Sequence, residues 1–409
     1  MNNLLITDVE YYGEKVNLLA NSKGFSVSSD RVSNSVDLIN GNGLTALPGF
    51  VDIHVHFRDP GFTKKEDIMT GARAAAAGGY TLVTPESNTR PVIDNISNYN
   101  EIQNKMNSLP VTVMQKAAVT LGQQGTILTD LVNLYNSGSP AFSDDGEPIV
   151  NENILIDAFK ILASLPGCPV ITAHCEETPK SAEKVILALG NGAEMMREAE
   201  IVSCNIEALR KAGCGRLHIQ HVSLAKTVDI ISKAKKDGLN VTAEVSPHHL
   251  LLSLEDIVTD DANWKMNPPL RSRSDMMAMR DALAKGIIDI IATDHAPHSV
   301  IDKNAGWEKA PFGITGLETS FPLIYQLVLD GYITLSTLAE IMSVKPEKIL
   351  FNKKVNAGLT LVDLNKRWSV KKFYSKSSNS PFIGRQMTGK VIYTINKGKI
   401  ITADGAVIF

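Results

Sequence analysis

The sequence predicts an α/β fold: a (β/α)8 barrel with a small β unit formed by both ends of the chain. From residue 48 onward, apolar runs of about four to eight residues alternate with amphipathic helical stretches, the pattern of such a barrel. The first run ends in HVHFRDPG, without the glycine-rich phosphate turn of a doubly wound sheet. The two ends show the pattern of short strands and turns. We therefore assign residues 1–47 and 355–409 to the small unit and 48–354 to the barrel.

Eight runs rich in Val, Ile and Thr are the predicted barrel strands. They cover residues 49–57, 80–85, 111–119, 139–144, 169–174, 216–221, 239–245 and 287–293. The amphipathic stretches between them predict helices over 66–79, 97–108, 125–138, 153–165, 194–213, 225–238 and 275–286. Gly78 and Gly79 are expected to stop the first of these helices.

The composition is that of an average globular protein, with 409 residues of which 44% are hydrophobic and 21% charged. Lys plus Arg number 41 and Asp plus Glu 44, so the formal charge is −3 and no nucleic-acid partner is expected. The sequence has no run of about 18 apolar residues that would predict a membrane span. The N-terminal segment lacks the basic start and apolar core of a signal peptide. Four cysteines without CxxC spacing are expected to be reduced thiols in a cytoplasmic protein.

The first informative histidines are a pair on the first predicted barrel strand. Side chains alternate with period two along a strand, so the imidazoles of His54 and His56 point the same way. That geometry suits a divalent metal, although two structural histidines would show the same spacing. The position favours a metal, because the active sites of barrels lie at the carboxyl ends of the strands.

Four further strand ends carry residue types that bind metals. They are Asp145 in FSDDG, His174 in ITAHCE, His221 in HIQHVS and Asp294 in IIATDHAPH. Taken singly, each has a structural interpretation as a buried histidine, a turn residue or a helix cap. Together, at the strand ends of one barrel, they predict a metal centre.

The number of these side chains indicates two metal ions. Four histidines and two carboxylates exceed the three protein ligands of a usual catalytic zinc site. They fit two ions about 3.5–4 Å apart that share a carboxylate, which polarise a carbonyl oxygen and lower the pKa of a bound water to near neutral. The residues therefore predict metal-assisted hydrolysis.

The sequence resembles the cyclic amidohydrolases, and within them the dihydroorotases of the first bacterial class. The resemblance runs through nearly the whole chain and implies a metal-dependent hydrolase barrel of the TIM type with a small β-sandwich domain built from both termini. Its most specific segments are PGFVDIHVHFRDPG (48–61), GARAAAAGGYT (71–81), FSDDG (142–146), VTAEVSPHHLLL (241–252), KMNPPLR (265–271), IATDHAPH (291–298) and APFGITGLET (310–319).

The implied reaction is the reversible, zinc-dependent hydrolysis of L-dihydroorotate to N-carbamoyl-L-aspartate in pyrimidine biosynthesis. The resemblance implies two zinc ions per subunit, and Asp294 would also be the general base that carries a proton from the attacking water to the leaving nitrogen. The implied ligands of one zinc are His54, His56 and Asp294, those of the other are His174 and His221, and the bridge is Asp145.

The resemblance also implies the contacts with this small-molecule substrate. Arg58 suits the substrate carboxylate because a guanidinium binds a carboxylate through two hydrogen bonds, although a salt bridge to Asp59 or Asp67 is the alternative. The implied carboxylate contacts are Arg58, Asn88 and His298, and the implied ring contacts are Asn267, Phe312 and Gly313.

Two features separate this sequence from many relatives. Residues 117–159 contain no lysine, so a carboxylated lysine cannot bridge the metals near the fourth strand and Asp145 is the available bridge. The family usually reads MPNT after the second strand, whereas this chain reads PESNT over 85–89. Glu86 and Ser87 therefore replace Met and Pro, and Glu86 would repel an anionic substrate unless it points away.

Other readings stay open. A hydantoinase or allantoinase is disfavoured because Arg58 would face an uncharged ring as an unpaired charge. A non-catalytic partner of aspartate transcarbamoylase is disfavoured because all six ligands are present. The resemblance leaves open a homodimer and a complex with the transcarbamoylase. Segment 299–309 is either a mobile cover or an ordinary loop, and the remaining histidines are assigned structural roles: His218, His248, His249 and His295.

Overall fold

Strands from both chain ends and a central set of strands and helices make up the fold. The computed structural model describes residues 4–28, 37–176, 197–352 and 358–409. The terminal strands are β1 (Leu4–Tyr11), β2 (Glu14–Asn21), β3 (Gly24–Ser28), β4 (Asp37–Asn40) and β5 (Thr45–Pro48). The central strands are β6 (Phe50–Val55), β7 (Tyr80–Pro85), β8 (Thr112–Val113), β9 (Ala141–Phe142), β10 (Val170–Ala173), β11 (Leu217–Ile219), β12 (Val241–Val245) and β13 (Ile290–Ile291). The C-terminal strands are β14 (Leu359–Ser369), β15 (Gln386–Asn396), β16 (Lys399–Ala403) and β17 (Ala406–Val407).

Helices follow the central strands, and within the described ranges each is too short or too polar to span a bilayer. They are α1 (Ile68–Ala77), α2 (Ile96–Met106), α3 (Leu131–Asn136), α4 (Glu152–Ala163), α5 (Arg197–Ala212), α6 (Ala225–Lys236), α7 (Pro247–Leu251), α8 (Arg273–Ala284), α9 (Val300–Lys303), α10 (Ser320–Leu329), α11 (Leu335–Ala339) and α12 (Lys345–Phe351).

The barrel closes through two isolated bridges. Strands β6, β7 and β8 form one parallel sheet, and β9 to β13 form a second in chain order. Ala117 pairs with Phe142 and Val55 pairs with His295, so the two sheets join at both edges. The predicted (β/α)8 barrel is therefore confirmed, and its strand ends converge at one rim.

The small β unit is a single sheet built from both chain ends, as predicted. Its order is β17-β16-β15-β14-β5-β1-β2-β3, with β4 paired to β1. The two ends meet where β5 pairs with β14, with Leu47 opposite Thr360. The predicted boundary at 354/355 lies outside the described residues, and β5 ends at Pro48, one residue past the predicted boundary at 47.

An apolar layer fills the end of the barrel opposite the polar rim. Val51, Leu82 and Val170 of the strands cluster there with Ile349 and Leu350 of α12, all of them buried. Their burial excludes water from this end of the barrel. The predicted ligands lie at the other end of the barrel, where the strands have their carboxyl ends.

One predicted helix is shorter than expected. The stretch 125–138 forms a helix only from Leu131 onward, and Asp130 caps it by accepting a hydrogen bond from the Asn133 amide. The preceding residues are extended because Thr120 and Leu128 form an antiparallel bridge. The start of the helix predicted over 194–213 lies outside the described residues, and α5 ends at Ala212.

The junction between the chain ends yields a stability prediction. Leu361 of β14 is fully buried between Ala46 of β5 and Tyr393 of β15. Leu361→Ala is expected to lower the free energy of unfolding by about 2–5 kcal/mol, because it leaves a cavity in the core of this sheet. Urea unfolding measures the change, with Leu38→Ala as the control because Leu38 is 66% exposed. Equal unfolding free energies for the two variants would contradict this view of the junction.

Candidate metal centre and cleft

Ligand atoms from the first, fourth and eighth barrel strands converge at the rim. His54 Nε2 lies 3.3 Å from Asp145 Oδ1 and 3.6 Å from Asp294 Oδ1. His56 Nε2 lies 3.1 Å from Asp294 Oδ1 and 3.5 Å from Asp145 Oδ2. All four side chains are buried. The two carboxylates therefore face the same pair of imidazoles, as the spacing of His54 and His56 predicts.

The fifth and sixth strands add two more imidazoles to this group. His174 Nδ1 lies 3.4 Å from Asp145 Oδ1, and His221 Nε2 lies 2.8 Å from His174 Nδ1. Burial, reinforced by the neighbouring His174 and His54 rings, lowers the pKa of His221 to about 3. His221 is thus neutral, which is the form of histidine that binds a metal.

The imidazoles also hold the carboxylates in their charged form. Burial alone would raise the pKa of Asp145, but the facing His54 and His174 outweigh it and hold the pKa well below its usual range. For Asp294, the neighbouring His54 and His56 likewise outweigh burial and lower the pKa to about 2. Both groups are ionised at neutral pH and available as ligands or as proton acceptors.

The donor atoms fit a bound metal. His54 Nε2 and Asp145 Oδ1 are buried without a hydrogen bond. Burying a polar atom without a partner is costly, and a bound cation would supply that partner. Imidazole nitrogens and carboxylate oxygens are ligands that zinc and related ions accept. Two sets of three residues bring one ligand atom each within 4.8 Å of the others: His54, His56 and Asp294, and His54, Asp145 and His221.

Three of the residues at the rim have an unusual backbone. Arg58, His221 and Asp294 have φ angles of 59°, 34° and 48°, in a region that residues other than glycine rarely adopt. Such strain is common at functional sites, where the surrounding fold compensates for it. The turn after each strand thereby aims the side chain at the centre of the rim.

A carboxylate behind His54 fixes the orientation of that ring. Glu244 Oε1 lies 2.5 Å from His54 Nδ1, and Glu244 Oε2 lies 3.0 Å from His218 Nε2. His218 Nδ1 in turn lies 2.8 Å from Thr242 Oγ1. When Nδ1–H donates to Glu244, Nε2 keeps its lone pair towards the centre, the usual arrangement behind a metal ligand. The structural role predicted for His218 is therefore to support Glu244.

A cleft of about 230 Å³ opens at this centre. Eleven of the twelve predicted site residues line it, and His54 lies fully buried beneath it. Asn88 lies in its wall, where its amide donates to Asp145 Oδ2 at 2.9 Å and its oxygen lies 3.1 Å from His56 Nδ1. Asn88 thus reaches the predicted ligands despite the altered sequence before it.

The other substrate-binding candidates line the same cleft and together form its substrate-binding wall: Arg58, Asn267, His298, Phe312 and Gly313. Arg58 donates to the Pro297 carbonyl at 3.3 Å, and its Nη2 lies 3.3 Å from His298 Nε2. Burial lowers the pKa of Arg58 to about 10, so the guanidinium is charged at neutral pH. Asp67 instead caps α1 and pairs with Lys376, and among the described residues no ion pair joins Arg58 to Asp59 or Asp67.

Two buried polar atoms of this wall have no hydrogen-bond partner. His298 Nε2 lies 2.7 Å from the Phe312 carbonyl, which leaves Nδ1 without a partner, and Asn267 Oδ1 also has none. Burial, with Arg58 nearby, lowers the pKa of His298 well below its usual value, so the ring is neutral. The wall therefore combines one fixed positive charge with neutral hydrogen-bonding groups.

Known proteins share this architecture and much of this sequence. A dihydroorotase from Clostridioides difficile is 41% identical over 380 residues, which is 89% of either chain. A dihydroorotase from Bacillus subtilis is 40% identical over 388 residues, 91% of this chain and 90% of its own. The chain belongs to the dihydroorotase family. The family model described as Dihydro-orotase-like matches residues 43–188.

Solved structures of related hydrolases share the fold. An L-hydantoinase from Arthrobacter aurescens superposes with a TM-score of 0.86 at 25% identity, covering 100% of this chain and 98% of its own. A dihydropyrimidinase from Brevibacillus agri gives a TM-score of 0.82 at 20% identity, covering 99% and 96%. These likenesses confirm the predicted fold, a barrel with a small β domain.

Sequence reasoning missed the supporting residues of the site. Glu244 lies within a buried strand, where a carboxylate needs a partner, and that signal could have marked it. The segment 299–309 contains α9, whose Lys303 Nζ donates to the carbonyls of Ala262, Lys265 and Pro311. These bonds attach the segment beside Phe312. Its role as a cover stays a prediction.

Proposed function

We propose that this chain is an enzyme that catalyses the reversible hydrolysis of L-dihydroorotate to N-carbamoyl-L-aspartate, a step of pyrimidine biosynthesis. The observation that carries the proposal is the convergence of four imidazoles and two carboxylates on a cleft that a charged arginine also lines. The relatives that are 40% and 41% identical bear the name of this activity.

Two zinc ions are the proposed cofactors. His54, His56 and Asp294 would hold one, His174 and His221 the other, and Asp145 would bridge them. When bound, the ions would polarise the ring carbonyl and lower the pKa of the attacking water. Lys116, the lysine directly before the lysine-free stretch, contacts Glu86 and Thr172, which supports Asp145 as the bridge.

Each side chain of the site has a proposed role in the reaction. The water oxygen adds to the ring carbonyl carbon, and the bond from this carbon to the ring nitrogen breaks. Asp294 takes the proton from the water and delivers it to the leaving nitrogen, a role that suits a carboxylate ionised at neutral pH. Arg58, Asn88 and His298 are proposed to bind the substrate carboxylate. Asn88 also contacts Asp145 and His56.

Phe312, Gly313 and Asn267 are proposed to bind the ring. Phe312 and Gly313 line the cleft beside His298, and the Gly313 amide donates to the Lys265 carbonyl at 3.0 Å. This bond holds the segment in place beside Asn267, whose free oxygen suits a ring N–H donor. A homodimer, a complex with aspartate transcarbamoylase and a cytoplasmic location stay predictions.

A comparison of substrates tests the proposal. Dihydroorotate carries a carboxylate that Arg58 can pair, whereas hydantoin is uncharged and would leave the buried guanidinium without a partner. We expect the zinc-loaded chain to give its highest kcat/KM with dihydroorotate when the substrates are assayed beside hydantoin and allantoin. Turnover of hydantoin with none of dihydroorotate would overturn the proposal.

Asp294→Ala is expected to lower kcat by about 10²–10⁴-fold, because it removes the proton carrier and a proposed ligand. Steady-state assays in both directions measure this, with the metal content determined for the same samples. Asp281→Ala is the matched control, since Asp281 lies exposed on α8. A kcat for Asp294→Ala close to that of the control would exclude the proposed role.

Arg58→Met is expected to weaken the binding of dihydroorotate. Charge-assisted hydrogen bonds of about 1.5–3 kcal/mol would be lost, which corresponds to a rise in KM of about 10–100-fold. Steady-state assays compare the KM for dihydroorotate of Arg58→Met with that of Arg367→Met. The control removes an exposed arginine of β14. If the KM of Arg58→Met matches that of the control, Arg58 does not bind the carboxylate.

A further inference from the structure

Glu86, the residue that departs from the family pattern, does not face the cleft. Its side chain is 1% exposed and is absent from the cleft lining. It forms an ion pair with the ammonium of Lys116, which is itself fully buried and donates to Thr172 Oγ1 at 3.1 Å. Glu86 follows β7 and Lys116 follows β8, so the pair links the second and third strands inside the barrel.

The side-chain amide of Gln220 connects this ion pair to the proposed metal centre. Gln220 Nε2 donates to Glu86 Oε1 at 2.9 Å and lies 3.2 Å from His54 Nδ1. Gln220 directly precedes His221, and its oxygen accepts from Ser143 Oγ at 3.5 Å. A single side chain therefore contacts both the buried ion pair and the edge of the ring that Glu244 binds.

Electrostatics determines which end of the amide faces His54. A carboxylate accepts hydrogen bonds only, so Glu86 requires the nitrogen of Gln220 and excludes its oxygen. A reversed amide would place Oε1 beside His54 Nδ1–H, where it would compete with Glu244 as acceptor. Glu86 thereby leaves the Nδ1–H of His54 to Glu244.

Lys116 supplies the opposite charge that Glu86 needs at this depth. Without the ammonium, Glu86 would be an unpaired carboxylate buried beneath a cleft that receives an anionic substrate. The pair adds an amide-orienting acceptor and no net charge. Each of the two buried charges is stabilised by the other. This pairing explains why Glu86 is tolerated in place of an apolar residue.

We propose that Glu86 and Lys116 form a positioning pair that sets the His54 imidazole for metal binding through the amide of Gln220. This inference rests on the proposed function, because it assumes that His54 holds a metal. The pair touches neither substrate nor metal and acts through Gln220 alone.

Zinc binding by the apo-protein tests this pair without relying on turnover. Glu86→Met/Lys116→Met replaces the ion pair by two apolar side chains of similar length, a change that buried ion pairs tolerate without loss of folding. We expect its urea unfolding midpoint to stay near that of the parent while the zinc dissociation constant rises about tenfold, the effect typical of support behind a ligand. Competition with a chromophoric chelator measures the constant.

Two further variants separate positioning from a merely structural role. Glu86→Gln/Lys116→Met keeps an oxygen that accepts from Gln220 and is expected to bind zinc more tightly than Glu86→Met/Lys116→Met. Glu101→Met/Lys105→Met removes an exposed Glu–Lys pair on α2, 2.9 Å apart, and is expected to bind zinc like the parent. Unchanged zinc binding by the folded Glu86→Met/Lys116→Met variant would overturn the inference.

The parent protein distinguishes this failure from failure of the proposed function. A parent that binds zinc and hydrolyses dihydroorotate, beside a double variant with the same zinc dissociation constant, would refute the positioning pair alone. A folded parent that binds no zinc would refute the metal centre and the inference with it.

Discussion

Closure of the barrel is the constraint on which the site depends. The bridge between Val55 and His295, with the His56 amide donating to the His295 carbonyl at 2.8 Å, joins the first strand to the eighth. Asp294 is thereby brought to His54 and His56, from which 238 to 240 residues separate it. The six proposed ligands come from five barrel strands, and the short distances from Asp294 to His54 and His56 would not survive an open sheet.

The same convergence concentrates polar groups in a buried interior, where the fold gives the charged side chains partners. An apolar layer with Val51 and Ile349 closes the opposite end, while Glu244 supports His54 and Lys116 neutralises Glu86. A buried charge without a partner is strongly destabilising, so these contacts form a connected network. Among the proposed ligand atoms, His54 Nε2 and Asp145 Oδ1 are left without a hydrogen bond.

The sequence predicted the parts of this arrangement that follow from local rules. Period-two spacing placed His54 and His56 on one face, and the preference of barrel sites for strand ends selected Asp145 and Asp294. Contacts between residues that are distant in the sequence could not be predicted from such rules. The direction of Glu86 depends on Lys116, 30 residues away, and the late start of α3 at Leu131 depends on the bridge from Thr120 to Leu128. Strands such as β9 are shorter than predicted because ladder pairing stops where the rim turns begin.

Titration of zinc into the apo-protein tests whether hydrolysis requires metal at the rim. Dihydroorotate turnover and bound zinc would be measured on the same samples. Turnover is expected to be absent without metal and to rise until about two ions are bound per chain. Full turnover in the metal-free protein, or zinc binding that leaves dihydroorotate untouched, would contradict this expectation.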